Sequence, residues 1–116
     1  MREEQEDADS CAIYPAYFGR GDIFVMLENR RVTRVEIKDA TLTTPAGIGV
    51  GSTVAQLKKA YGARLKAERP YDHGPQDWSF YLWSSSGNGI RFDASNGRIH
   101  TIYAGTEAIR YYEGCA

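Results

Sequence analysis

The sequence predicts an α+β fold: an antiparallel sheet of about five to seven strands, with one short helix at about residues 52–61 packed on it. Three observations carry this prediction. At residues 78–83, Trp78, Phe80 and Leu82 alternate with Ser79, Tyr81 and Trp83, which predicts a strand. Asn96-Gly97 is a strong signal for a tight hairpin turn. Only one segment combines a glycine-rich turn, a helix cap and an apolar stripe at helical spacing.

The predicted strands are short apolar or alternating runs separated by turn residues. They span residues 23–27, 32–38, 64–69, 78–83, 90–93 and 98–104, with a further edge strand at residues 109–112. Within residues 32–38, the charged Arg34, Glu36 and Lys38 alternate with Thr33, Val35 and Ile37, which predicts one solvated face. The remaining basic residues are scattered along strands, and the same interpretation applies to them.

The helix has recognisable signals at both ends. Ser52 or Thr53 can cap its first turn, and Gln56 stands three residues after Thr53, as a capping box requires. Gly62 supplies a left-handed stop. The three glycines before the helix lack the lysine of a phosphate loop, so we interpret them as a closely packed turn and predict no cofactor.

This helical segment carries a family resemblance. The letters GIGVGST at residues 47–53, followed by QL at 56–57 and YG at 61–62, resemble a segment of small bacterial secreted proteins and envelope lipoproteins. More distantly, they are similar to the helix of outer-membrane assembly lipoproteins and of the β-lactamase-inhibitory-protein fold. The C-terminal EGC at residues 113–115 looks like the end of such secreted proteins. The resemblance covers about a quarter of the chain. It implies a helix on an antiparallel sheet and a function in binding another protein, without catalytic residues.

Charge divides the 116 residues into two parts. Residues 1–10 carry five acids and one base and are predicted to be a disordered acidic tail, so residues 11–116 form one predicted domain. That domain carries thirteen bases and ten acids, too weak an excess for nucleic-acid binding. No apolar run is long enough to span a membrane. The acidic start is unlike a secretory signal peptide, so export would require that the signal peptide has been removed.

The two cysteines, Cys11 and Cys115, stand at the two ends of the predicted domain. A disulfide between them would close a loop of about a hundred residues. Paired cysteines at domain ends fit an oxidising compartment, so we predict a disulfide and a periplasmic or secreted location in a bacterium. Two free thiols in a cytosolic protein are the alternative. A lipid anchor on Cys11 is a further alternative, and it would forbid the disulfide.

Residues capable of catalysis are few. His100 lies on a predicted strand, and His73 follows Asp72 in a polar loop. An Asp-His pair without a third ligand is a weak metal signal, so no metal site is predicted. Glu107 and Glu113 could form a carboxylate pair, but nothing sets their separation. We therefore expect a protein that is not an enzyme.

Binding is the function that remains. The polar loop at residues 69–77 is the kind of segment in which binding residues are often found. The tryptophans and tyrosines that follow it are residue types that dominate interface hot spots. Alternation allows only one of Trp78 and Trp83 to be in the core, so the other is a candidate exposed anchor. The candidate binding residues are Tyr71, Asp72, His73, Asp77, Tyr81 and Trp83.

These residues lead to a hypothesis of a protein-binding domain, in its specific form an inhibitor or immunity protein against a secreted or periplasmic hydrolase or toxin. One alternative is an envelope lipoprotein of assembly or stress response. Another is a small-ligand-binding protein or weak hydrolase that uses His73, Asp72 or the glutamates.

Overall fold

Seven strands form one antiparallel sheet in the computed structural model, which describes residues 10–16, 22–69, 74–111 and 115. The sheet order is β1-β2-β3-β7-β6-β5-β4. The strands are β1 (Cys11–Pro15), β2 (Ile23–Glu28), β3 (Arg31–Ile37), β4 (Lys66–Glu68), β5 (Asp77–Trp83), β6 (Gly89–Ser95) and β7 (Arg98–Gly105). The α-helix is α1 (Val54–Tyr61), and two 3-10 helices follow, η1 (Gly62–Arg64) and η2 (Glu107–Arg110).

The expected α+β architecture is confirmed in its coarse form, and the seven strands are the upper limit of the predicted range of five to seven. The predicted edge strand at residues 109–112 is wrong where the structure describes it. Residues Glu107–Arg110 instead form η2, because Thr106 Oγ1 accepts a hydrogen bond from the Ala108 amide and starts a helical turn. The edge strands are β4, which lies within the predicted strand at residues 64–69, and β1, which the sequence pattern did not reveal.

The helix forms as its end signals predict. Thr53 Oγ1 accepts from the Gln56 amide at 3.0 Å, and Gln56 Oε1 accepts from the Thr53 amide at 2.8 Å. Gly62 ends the helix at φ 57°, a conformation that favours glycine. Leu57 is fully buried, so the apolar stripe of α1 faces the sheet.

The main core lies between α1 and the sheet, on the side that we call the helix face. Cross-strand pairing aligns Ile37, Ile102, Phe92 and Phe80 in one apolar row across β3, β7, β6 and β5. Leu57 of α1 belongs to the same buried cluster as Ile102, Phe92 and Phe80 of that row. This burial anchors the β5 side of the sheet to the helix.

The opposite face is covered by the C-terminal segment, residues 106–111 and 115, which we call the strap. Ile109 is fully buried against Tyr81 and Tyr103. The prediction of a solvated face on β3 is therefore wrong for Arg34, which is buried beneath the strap. Long-range packing of the strap on the sheet accounts for this difference, and periodicity within β3 could not reveal it.

A disulfide joins the strap to β1. Cys11 and Cys115 are bonded, which confirms the predicted pair and is compatible with an oxidising compartment. No helix of the described ranges is long and apolar enough to cross a membrane. The predicted acidic tail lies outside the described residues, except for Ser10.

Replacement of both cysteines, Cys11→Ser with Cys115→Ser, should lower the free energy of unfolding by about 4–5 kcal/mol. The bridge spans 104 residues, and its loss frees a long loop in the unfolded chain. Urea denaturation of the variant and of the disulfide-bonded protein measures the difference, with reduced and alkylated wild-type protein as the matched control. Equal midpoints for all three forms would show that the bridge adds no stability.

Candidate functional site

A groove on the helix face runs between α1 and the start of β5. It encloses about 320 Å³ and is lined by apolar side chains with a few polar ones at its rim, including Val54, Lys58, Gln76, Trp78, Phe80 and Ala94. We call it the Trp78 groove. Its size is within the range of small-molecule and side-chain binding clefts.

Trp78 is the exposed aromatic residue of this groove. Its side chain is 38% exposed, whereas Phe80, two residues along the same strand, is 4% exposed. The two rings stack with centroids 6.4 Å apart. Because Phe80 is held in the core, the indole rests on a rigid base, which lowers the entropy cost of contact with a partner.

Two cations lie over these rings. The Arg69 guanidinium carbon is 4.6 Å from the centroid of Trp78, and Lys58 Nζ is 5.9 Å from that of Phe80. Both distances are within the range of cation–π attraction. The groove therefore combines an apolar floor with a positively charged rim.

The loop at residues 69–77 is pinned at its base. Arg69 Nη2 donates to the Gly74 carbonyl oxygen, and Asp77 Oδ2 accepts from the Gly74 amide at 2.9 Å. Asp77 Oδ1 accepts from the Ser95 hydroxyl at 2.7 Å, so this predicted binding residue positions the loop. The predicted binding residues Tyr71, Asp72 and His73 lie outside the described residues.

Tyr81 and Trp83 lie on the other face of the sheet from Trp78. Tyr81 is 5% exposed, and Trp83 is partly buried and stacks on it with centroids 6.0 Å apart. The Tyr81 ring is thus packed inside the protein. Of the two tryptophans between which alternation could not decide, Trp78 is the more exposed.

Sequence reasoning missed a buried polar cluster beneath the strap. Arg91 and Asp93 form a two-pronged ion pair, with Nε to Oδ1 at 2.7 Å and Nη2 to Oδ2 at 2.8 Å. The Ser79 hydroxyl also donates to Asp93 Oδ1. The sequence did contain a signal for this pair. Arg91 and Asp93 have opposite charges and stand two residues apart on one strand, so their side chains lie on the same face.

Arg34 and Arg91 lie on the two sides of Tyr103, with guanidinium carbons 4.5 and 4.6 Å from its ring centroid. Both arginines also donate to backbone carbonyl oxygens of the strap. Arg34 binds Ala108 and Tyr111, and Arg91 binds Ile109 and Tyr111. These hydrogen bonds make the cluster an anchor for the strap.

The two phenols of this cluster, Tyr81 and Tyr103, are not set for proton transfer near neutral pH. Burial, with the nearby Asp93 carboxylate, raises the pKa of Tyr103 to about 12. Burial likewise raises the pKa of Tyr81 above its usual value. A general acid or base works best with a pKa near the operating pH, so neither phenol suits that role.

The other candidate catalytic residues do not form a site in the structure. His100 is exposed, and its Nδ1 is 2.9 Å from the Thr101 hydroxyl. Glu107 lies on η2, and Glu113 is outside the described residues, so the structure gives no separation for that pair. Within the ranges that the structure describes, no group of three or more His, Cys, Asp or Glu side chains could hold a metal ion.

In comparisons with known proteins, no family model matches the chain, and no curated protein or solved structure is significantly similar to it. The described residues form a disulfide-closed, sheet-based α+β domain that carries the Trp78 groove.

Replacement of Arg91 by leucine should lower the free energy of unfolding by about 3–5 kcal/mol, because it leaves the buried Asp93 carboxylate without its cation. Arg110→Leu is the matched control: it removes an exposed pair with Glu68 and should cost about 0–1 kcal/mol. Urea denaturation at neutral pH measures both. Equal losses in the two variants would contradict a structural role for the buried pair.

Stability should fall as the pH rises from about 10 to about 12. In the unfolded chain Tyr103 ionises near pH 10, whereas in the folded protein its pKa is about 12, so alkali favours unfolding across that interval. Tyr103 alone contributes a slope of about 1.4 kcal/mol per pH unit. Urea denaturation of wild type and Tyr103→Phe at several pH values tests this. The two proteins should diverge only above pH 10, and parallel curves would refute the assignment.

Proposed function

We propose that this chain is an extracytoplasmic bacterial domain that binds another protein, and that it acts as an inhibitor or immunity protein against a secreted or periplasmic hydrolase. The Trp78 groove is the observation that carries this proposal. An exposed tryptophan on a rigid strand, beside an apolar cleft, is the kind of residue that supplies most of the binding energy of an interface.

The charge of the groove indicates what the partner presents. Lys58 and Arg69 are the cations at the rim, so the complementary segment carries an apolar or aromatic side chain for the cleft and acidic groups beside it. An acidic groove on a hydrolase meets this description. Complementary charge would also accelerate the encounter between the two proteins.

The loop beside the groove suits insertion into such a partner. Arg69 and Asp77 both bind Gly74, so the two ends of the loop are held together and joined to the sheet. A loop with a fixed base loses less conformational entropy on binding than a free segment does. Tyr71, Asp72 and His73, in the same loop, remain predicted contact residues.

The disulfide supports the location. A bridge between the two ends of the domain persists in an oxidising environment, such as the periplasm or the extracellular medium. An envelope lipoprotein of assembly or stress response remains the alternative that shares this location. Such a protein would bind several partners weakly, whereas an inhibitor forms one tight complex.

Trp78→Ala should weaken binding of the target by about thirtyfold or more, because truncation of a central tryptophan typically costs about 2 kcal/mol or more. The first step is quantitative capture from periplasmic and secreted fractions with the wild-type domain and with Trp78→Ala. The second is titration of the recovered hydrolase with each protein. A one-to-one complex with loss of hydrolase activity is expected for wild type only.

Leu42→Ala is the matched control, because Leu42 is an exposed apolar residue at 43% and does not line the Trp78 groove. It should inhibit as well as wild type. Recovery of the same proteins by wild type and Trp78→Ala would overturn the proposed site. Many weakly bound partners without a hydrolase would favour the assembly alternative, and hydrolysis by the purified domain alone would favour an enzyme.

A further inference from the structure

In the part of the chain that the structure describes, β1 is an edge strand with β2 on one side and no strand on the other. The Ala16 amide donates to the Ile23 carbonyl, and the Asn29 amide donates to the Ser10 carbonyl. Hydrogen bonds to a neighbouring antiparallel strand involve alternate residues, so the even-numbered residues of this segment face β2. The backbone groups of Cys11, Ile13 and Pro15 therefore point away from the sheet, where no strand of the described residues pairs with them.

The two edges of the sheet differ in chemistry. β4 is only three residues long, and two of the three, Lys66 and Glu68, are charged, which is how natural proteins protect an edge from pairing. β1 has five residues and no charge. Ile13 is 46% exposed and Tyr14 is 49% exposed, so this open edge is also apolar.

We propose that β1 pairs in antiparallel fashion with β1 of a second copy of this chain, about a two-fold axis at Ile13. In this register the two Ile13 residues exchange both of their backbone hydrogen bonds. Each Cys11 amide donates to the Pro15 carbonyl of the other copy. Pro15 has no amide hydrogen, which is tolerated because proline is accommodated at the outward side of an edge strand.

Self-complementarity is the reason for assigning a second copy as the partner. The register places Tyr14 opposite Ala12 of the other copy, a large side chain against a small one, at the closer of the two cross-strand spacings. Residues 10–16 are uncharged, so no like charges oppose one another. The two monomer sheets become one continuous sheet.

The helix face continues across this junction. Strand register places Tyr14 beside Val25, and Val25 beside Val35, all on that face and none of them buried. Pairing would cover Tyr14 and extend the apolar row from one copy to the other. Removal of such a row from water is the driving force that backbone hydrogen bonds alone would not supply.

Sedimentation equilibrium of the full disulfide-bonded chain over a wide concentration range tests the proposal. The expected result is a monomer–dimer equilibrium for wild type, weakened at least about tenfold in Ile13→Lys, since a lysine on an edge opposes pairing. Leu42→Lys is the matched control: Leu42 has a similar exposure, lies outside β1, and its replacement should leave the dimer unchanged.

Amide hydrogen exchange separates lost pairing from lost folding. In wild type, the amides of Cys11 and Ile13 should become protected as concentration rises, whereas those of Ala12 and Tyr14, which face β2, should be protected throughout. A monomer at every concentration would overturn the proposal. So would a dimer that Ile13→Lys leaves intact, or concentration-dependent protection at β4. Trp78→Ala should not alter the equilibrium, which keeps this test independent of the proposed function.

Discussion

The strap that crosses the open face of the sheet is the constraint on which the rest of this structure depends. A seven-stranded sheet has two faces to cover, and α1 covers only part of one. On the other face, Arg34 and Arg91 donate hydrogen bonds to carbonyl groups of the strap. Ile109 of the strap packs against Tyr81 and Tyr103, and the disulfide joins the strap to β1. Each contact joins residues far apart in sequence. The strap, the sheet and the bridge therefore stabilise one another as a unit.

The cationic side chains on the two faces of the sheet have different surroundings. On the strap face, Arg34 and Arg91 donate hydrogen bonds to backbone carbonyl groups and lie against the Tyr103 ring, and Arg91 also pairs with Asp93. Their guanidinium groups therefore interact with other parts of the same chain. The cations of the helix face, Lys58 and Arg69, instead lie over aromatic rings at the rim of an open groove. A rigid sheet joins the two faces. The proposed binding surface on this sheet would need little reorganisation when a partner binds, which would favour tight association.

The same sheet also explains why its edges matter. An antiparallel sheet that does not close has two edges, and each needs either protection or a partner. β4 is short and charged, and Arg110 of the strap forms an ion pair with its Glu68. At β1 an uncharged apolar strand ends the sheet. The Trp78 groove lies near the protected edge and β1 lies at the other, so the proposed target binding and the proposed pairing of two copies would use separate surfaces.

By itself, the sequence determined the features that depend on neighbouring residues: the capped helix at Thr53 and Gln56, the hairpin at Asn96-Gly97 and the alternating strands. It also predicted the disulfide, because the two cysteines of the sequence stand at the two ends of the domain. The burial of Arg34 and the exposure of Trp78 were decided only by the tertiary structure. The physical reason is strand order. β7 lies between β3 and β6, and this places Arg34, Tyr103 and Arg91 side by side beneath the strap. Alternation shows that a residue faces one side of a strand, but not what covers that side.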